Sequence, residues 1–292
     1  MESNVSRFFD FMLERHLVYE RKNSGQPFPW TDDPILRKYK FCNVFRELDT
    51  GTVWCKEHII EPYWFTEQLF FNIAAYRSIN SWETWQEVYD EERRRAGHSF
   101  IVEYRSEVIK NILIKRRSRG ERIFTNAHML TGVGGTDKVV MYTDKTWTQL
   151  WNKRKELEPT KDDTLQSAFN KLLNAKIPAI GRFIAYEIIT DLRHTRYLQH
   201  AQDIYTWANP GNGCKRGIMR VFFGQLKDVK LTDHYCIEHM VFLLSICGDY
   251  LPKHFPKLEM RDIEHTLCEF DKYERTRLGE GTARMLYVPK SA

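Results

Sequence analysis

Lys176-Ile-Pro-Ala-Ile-Gly181-Arg-Phe-Ile-Ala185 lies between two helical stripes, and its reading decides the fold. Upstream, Leu165, Phe169, Leu172 and Leu173 recur at helical spacing; downstream, Ile184, Ala185, Ile188, Ile189 and Leu192 do the same. Pro178 and Gly181 interrupt the pattern, so the segment predicts two helices joined by a tight apolar turn. Ile177 and Ile180 plug the junction, while Gly181 leaves no side chain in the way of a close approach. Ile180, Gly181 and Arg182 would then grip a phosphate, because the free N–H groups of the following helix point at an anion and Arg182 adds charge. An ordinary corner between helices uses the same residue types, and the turn by itself leaves both readings open.

Outward from the turn the same period recurs. Val5, Phe8, Phe9, Met12, Leu13 and His16 predict a helix over 3–21, which Lys22-Asn-Ser-Gly-Gln-Pro-Phe-Pro29 ends. A second helix is expected from Ile35 to about Leu48, with Phe41, Val44, Phe45 and Leu48 inward and Lys40, Asn43 and Arg46 on its margin. Further helices are expected near 66–79, 81–95, 99–118, 216–225, 232–248, where Thr232 is the N-cap, and 260–278. Strict alternation is scarce, so the fold class is all-α. The glycine-rich run Glu121–Lys138 suggests a loop between two lobes, 1–140 and 141–292.

With 292 residues, 42% hydrophobic and 14% aromatic, the chain has enough material for a generous core. No apolar run approaches the ~20 residues of a membrane helix, and the N-terminus lacks a signal-peptide pattern. A cytoplasmic protein without a membrane partner is expected, in the host cytoplasm if the source is a phage. The net charge of +5 is compatible with an anionic partner but common among proteins. The cysteines Cys42, Cys55, Cys214, Cys236, Cys247 and Cys268 lack C-x-x-C spacing and read as reduced thiols, mostly in the core. His265 with Cys268 has no second ligand pair, so neither a metal nor another cofactor is expected. Gly132-Val-Gly-Gly-Thr-Asp-Lys138 lacks the G-x-x-x-x-G-K-[ST] spacing of a kinase phosphate loop. The basic cluster Lys110, Lys115, Arg116, Arg117, Arg119 and Arg122 fits either a DNA contact or the solvated end of a helix.

Asp203 follows Gly181 at a separation similar to that between hairpin and catalytic Asp in the helix-hairpin-helix DNA glycosylase superfamily. Those enzymes extrude a base and act on it in a pocket. Lyase-type members carry a Lys two residues after the hairpin Gly; here that position is Phe183, which disfavours strand cleavage. A helix cap is the bland role for Asp203. Tyr39-Lys-Phe-Cys-Asn-Val-Phe-Arg-Glu-Leu-Asp49, Ile123-Phe-Thr-Asn-Ala127, Trp207-Ala-Asn-Pro-Gly-Asn-Gly-Cys-Lys-Arg-Gly217 and Ile263-Glu-His-Thr-Leu-Cys-Glu-Phe-Asp-Lys-Tyr273 sharpen the likeness. Together they resemble the α-glutamyl/putrescinyl-thymine pyrophosphorylase family, the amino acid:DNA transferases of that superfamily. A related helical domain accompanies the kinase that phosphorylates 5-hydroxymethyluracil in DNA.

The resemblance implies a two-lobed helix-hairpin-helix, glycosylase-like fold and a phage pathway of thymine hypermodification. The reaction it implies is displacement of pyrophosphate from 5-pyrophosphorylmethyluracil in double-stranded DNA by an amine, an amino acid or a polyamine. Asp203 would be the catalytic carboxylate, and Lys40, Asn43, Arg46, Asp49, Asn126, Glu264 and Lys272 would hold the substrate. Lys215 and Arg216 follow a glycine-rich turn whose N–H groups suit the DNA backbone or the leaving group. The alternatives are a monofunctional glycosylase using Asp203 to activate water, and a non-catalytic helical DNA-binding domain associated with a base kinase. For Lys40, Asn43 and Arg46 the competing role is a polar helix margin; for Glu264, Cys268 and Lys272 it is a buried structural network.

Overall fold

The computed structural model describes residues 2–125, 135–283 and 285–288. In chain order the helices are α1 (Glu2–Asn23), α2 (Pro34–Lys38), α3 (Thr50–Cys55), α4 (Leu69–Ile79), α5 (Trp82–Ala96), α6 (Ser106–Ser118), α7 (Lys138–Val140), α8 (Thr148–Asn152), α9 (Arg154–Leu157), α10 (Leu165–Asn174), α11 (Arg182–Leu192), α12 (Asn212–Phe223), α13 (Asp233–Ile246) and α14 (Met260–Arg277). The described chain is all-α, with an isolated antiparallel bridge between Tyr39 and Leu286. None of the described helices is long and apolar enough to cross a membrane.

Two compact units form, Met1–Asp49 with Ile204–Ala292, and Thr50–Asp203. This differs from the expected division near 140, because the apolar face of α1 is buried by helices from the far end of the chain. Phe8 meets the ring of Phe270 edge-on at 5.5 Å, and Phe11 lies 5.0 Å from Tyr273. In the same unit α12 crosses α14 at very short range. A Cβ on Gly213 would fall 2.3 Å from Sγ of Cys268, and one on Gly217 would fall 2.2 Å from the carbonyl oxygen of Leu267. The run 211–217 is therefore the first turns of a packed helix, with Gly211 as N-cap, and not the anion-binding turn expected from its glycines.

The unit Thr50–Asp203 is built around α4, which is mostly apolar and buried at every residue. Its polar members are fully used. Asn72 accepts from the Ile101 N–H and the Tyr89 hydroxyl and donates to the carbonyls of Gln68 and Ile101. Arg77 donates through Nε to Asp191 Oδ2 at 2.5 Å and through its terminal nitrogens to Asp191, Thr52 and Asn80, tying α4 to α11.

The expected helical hairpin is present as α10, a turn, and α11. Ile177 and Ile180 are buried, and α10 begins with a capping box between Thr164 and Ser167. The left-handed backbone of the turn falls on Lys176 (φ 50) and Ala179 (φ 64), while Gly181 is extended at φ −90.

Two helices are shorter than their periodicity suggests. The one expected over 99–118 starts at Ser106, since the Ile101 N–H is taken by the Asn72 side chain. The one expected over Ile35–Leu48 ends at Lys38, and the chain runs extended to a single 3-10 turn at Arg46–Leu48. Its backbone donors have other acceptors: Lys40 N–H bonds to Met285 O, Cys42 N–H to Glu269 and Asn43 N–H to Asp49. Lys40, Asn43 and Arg46 thus do not share a helix face.

Candidate functional site

Segment 40–49 is nevertheless where most of the expected substrate residues meet. Asp49 organises it: Oδ1 accepts the Asn43 N–H at 3.0 Å and Oδ2 accepts Arg46 Nε at 2.6 Å. Arg15 of α1 donates to Asn43 Oδ1 at 2.7 Å and to Phe41 O at 3.1 Å. Burial pulls the Arg15 guanidinium below its ordinary value, and the charge of Asp49 opposes that shift. With its oxygen held by Arg15, the half-buried amide of Asn43 presents its NH2 group, which has no protein acceptor among the described residues. Such an oriented donor pair suits a pyrimidine carbonyl.

On the neighbouring side α14 contributes Glu269 and Lys272. Glu269 Oε2 accepts the Cys42 N–H at 2.8 Å and Lys272 Nζ at 2.6 Å, and Lys272 also donates to Lys40 O at 3.0 Å. The Lys272 ammonium lies 4.4 Å from the Phe41 ring centroid. Burial pushes the Cys42 thiol up to about 12, with Arg46 working against the shift. Such a thiol stays protonated and is no nucleophile at neutral pH. Further along α14, Glu264 is buried and accepts the Gly211 N–H at the start of α12 at 3.3 Å. Cys268 counts as exposed as a residue, yet its sulfur faces Gly213, and burial followed by the charge of Glu264 raises its thiol. Glu264 and Cys268 therefore serve the α12–α14 contact, while Lys272 turns to segment 40–49.

Lys215 and Arg216 lie within α12 and are engaged. Lys215 Nζ donates to Leu231 O and to Asp233 at 2.7 Å, and Arg216 shares Asp271 with the buried Arg220. Within the other unit, Asp203 accepts the Leu165 N–H at 2.8 Å and the Gln166 N–H at 2.9 Å, so its carboxylate caps α10 from a distant point in sequence. The sequence points instead to a cap just before Ile204. The hairpin glycine is more suggestive. Nothing lies within 4 Å of where a Gly181 Cβ would stand, and no side chain caps α11 there. Neither the backbone angle nor packing among the described residues demands glycine there. Of the basic cluster, Lys110, Arg116, Arg117 and Arg119 all have carboxylate partners, among them Glu107, Glu87, Asp137 and Glu121. Asn126 lies outside the described residues.

Sequence reading missed Arg15 and Glu269. Glu269 has a local signal in its three-residue spacing from Lys272; Arg15 has none, because its partners lie in a segment whose apolar spacing points to a separate helix.

A family model described as the helical domain of 5-hmdU DNA kinase matches residues 2–283. The chain belongs to this family. A 5-hmdU DNA kinase of Bacillus phage SP10 is 25% identical over 299 aligned positions, which cover 91% of this chain and 44% of the phage protein. The chain thus spans less than half the length of that relative. No solved structure matches. Membership in the kinase helical-domain family is the coarser part of the expected kinship, and it links the chain to a phage protein named for a modified base in DNA.

Proposed function

We propose that the chain acts on a thymine-derived base in DNA and displaces pyrophosphate from 5-pyrophosphorylmethyluracil with an amine. The observation that carries this reading is the Arg15–Asn43–Asp49–Arg46 network, which orients an amide donor beside cations in a family whose relative is named for 5-hmdU. In the reaction the amine nitrogen forms a bond to the 5-methylene carbon, the carbon–oxygen bond breaks, pyrophosphate leaves with the electron pair, and the proton lost from nitrogen passes to water. Lys40, Arg46 and Lys272 supply positive charge for the departing pyrophosphate, and Asn43 reads the pyrimidine edge. Glu264 holds its neighbours in place through Gly211, and Asp49 fixes Asn43 and Arg46. Asp203 is the proposed catalytic carboxylate, held rigid by the α10 N–H groups. Ile180, Gly181 and Arg182 hold the DNA backbone, with Lys215 and Arg216 as weaker contributors because of their internal partners.

The second reading is a non-catalytic DNA-binding helical domain that works with a base kinase. The family description favours it. Incubating the protein with double-stranded DNA bearing 5-pyrophosphorylmethyluracil and a mixture of amines, then weighing the digested nucleosides, tests both. A heavier thymidine derivative supports transfer. An unchanged base with retained DNA binding supports the kinase-associated domain, and an abasic product would mean glycosylase action.

A further inference from the structure

Three aromatic rings stand together outside the core of the unit formed by Met1–Asp49 and Ile204–Ala292. Phe28 meets Trp30 edge-on at 5.3 Å and lies nearly parallel to Tyr287 at 6.3 Å, and Trp30 meets Tyr287 at 5.8 Å. Phe28 is 43% exposed, and Trp30 and Tyr287 are half-buried. Hydrogen bonds hold Trp30 and the backbone of Tyr287. Trp30 Nε1 donates to Gln26 O, Arg21 donates to Trp30 O, and Tyr287 N–H donates to Lys38 O.

One cation lies against the rings, and the Lys38 ammonium lies 5.3 Å from the ring of the adjoining Tyr39. Lys22 Nζ sits 5.5 Å from the Trp30 ring and 5.6 Å from that of Tyr287. Lys38 is paired through its backbone with Tyr287, and Lys40 follows on the path to Asn43. Lys22, Lys38 and Lys40 are exposed and form no ion pair among the described residues. Between 22 and 40 the acids are Asp32 and Asp33, and Asp33 is occupied in capping α2.

We infer that Phe28, Trp30 and Tyr287, with Lys22, Lys38 and Lys40, form a stacking platform for unpaired DNA bases beside the segment that carries Asn43 and Arg46. The inference rests on the proposed action on DNA. A partly exposed ring cluster that carries the Lys22 ammonium, with exposed Lys38 and Lys40 next along the chain, matches a strand whose bases are unstacked and whose phosphates are charged. Base pairs within a duplex cover those faces, so the platform takes bases left unpaired when one is extruded.

Anisotropy titrations of labelled oligodeoxythymidylate and of a duplex of equal length test this with the full chain. In the double variant Phe28→Ala/Tyr287→Ala, single-strand affinity is expected to fall at least about tenfold, with duplex affinity nearly unchanged. Tyr287→Trp keeps a stacking face and is expected to bind as the parent does. Lys22→Ala/Lys38→Ala should weaken both ligands and flatten the salt dependence. Circular dichroism and thermal melting confirm the fold of each variant. Unchanged single-strand binding in the ring variant, or an equal loss on the duplex, overturns the platform and leaves the DNA reading standing. A parent protein that binds neither ligand overturns both.

Discussion

Gly217 of α12 rests directly on the Leu267 carbonyl of α14: a Cβ there would fall 2.2 Å from the oxygen and 2.7 Å from the carbonyl carbon. Backbone cannot yield as a flexible side chain does, so Gly217→Ala must separate the helices. We expect a loss of about 2–3 kcal/mol or more, read as a lower urea midpoint. The same helices carry Glu264, Cys268 and Lys272, so substrate binding should weaken alongside stability. Gly181→Ala makes the contrast, because its Cβ meets open space; its thermal midpoint should stay close to the parent's while DNA affinity falls. A large drop in the midpoint of Gly181→Ala would show that the fold, and not a ligand, demands that glycine.

Asp262 is buried on α14 and its carboxyl is pushed up to about 7, mainly by burial; Arg261 opposes the shift and Glu47 adds to it. An unfolded aspartate titrates near ~3.9. Between those values the unfolded chain has released a proton that the folded chain keeps. The associated stability is therefore full below about pH 4, falls as pH rises, and levels off above about 7. Asp262→Asn keeps an acceptor for the Glu259 N–H, now 2.8 Å from Oδ2, and cannot ionise. Urea unfolding should find it similar to the parent at pH 4 and more stable at pH 8, by a few kcal/mol and on the order of 4 at most. Equal stability gaps at both pH values would contradict the assignment.

Asn43 tests base recognition. Its Oδ1 is held by Arg15 at 2.7 Å, so Asn43→Asp keeps that contact and replaces the NH2 donors with a second acceptor near Asp49. Affinity for DNA carrying the modified base should drop about tenfold or more, with affinity for unmodified DNA changed far less. Loss of the same size on both DNAs would assign Asn43 to the architecture of segment 40–49 alone.

That segment also shows where sequence legibility ends. The stripes of α1, α10 and α11 and the Thr232 cap of α13 are local features, and the structure has them close to where periodicity puts them. Segment 40–45 carries apolar residues at helical spacing too, but its donors are met by Glu269 and Met285, residues remote in sequence and invisible to a local pattern. Gly211 and Gly213 read as a glycine-rich turn for a similar reason, since only the presence of α14 distinguishes the packing glycine at 213 from a loop glycine. Asn43, Arg46, Asp49 and Lys272, all in motifs legible in the sequence, do lie near one another. They meet through a non-helical segment held by Arg15 and Glu269.

Asp203 separates architecture from chemistry. Both of its oxygens receive N–H groups from the first turn of α10, so Asp203→Ala strips two acceptors from a helix end and should cost about 1–2 kcal/mol. Asp203→Asn retains one acceptor oxygen and should recover about half of that loss. A purely capping residue predicts product formation that follows the folded fraction, nearly normal in Asp203→Asn at a temperature where both variants are folded. A catalytic carboxylate predicts the opposite ordering of effects: Asp203→Asn is the more stable variant, yet it is as inactive as Asp203→Ala, with DNA affinity preserved. Single-turnover mass analysis of the pyrophosphorylated DNA, paired with thermal melts of the same samples, distinguishes the two. Near-parental turnover in Asp203→Asn would confine this residue to holding α10 and would remove it from the reaction.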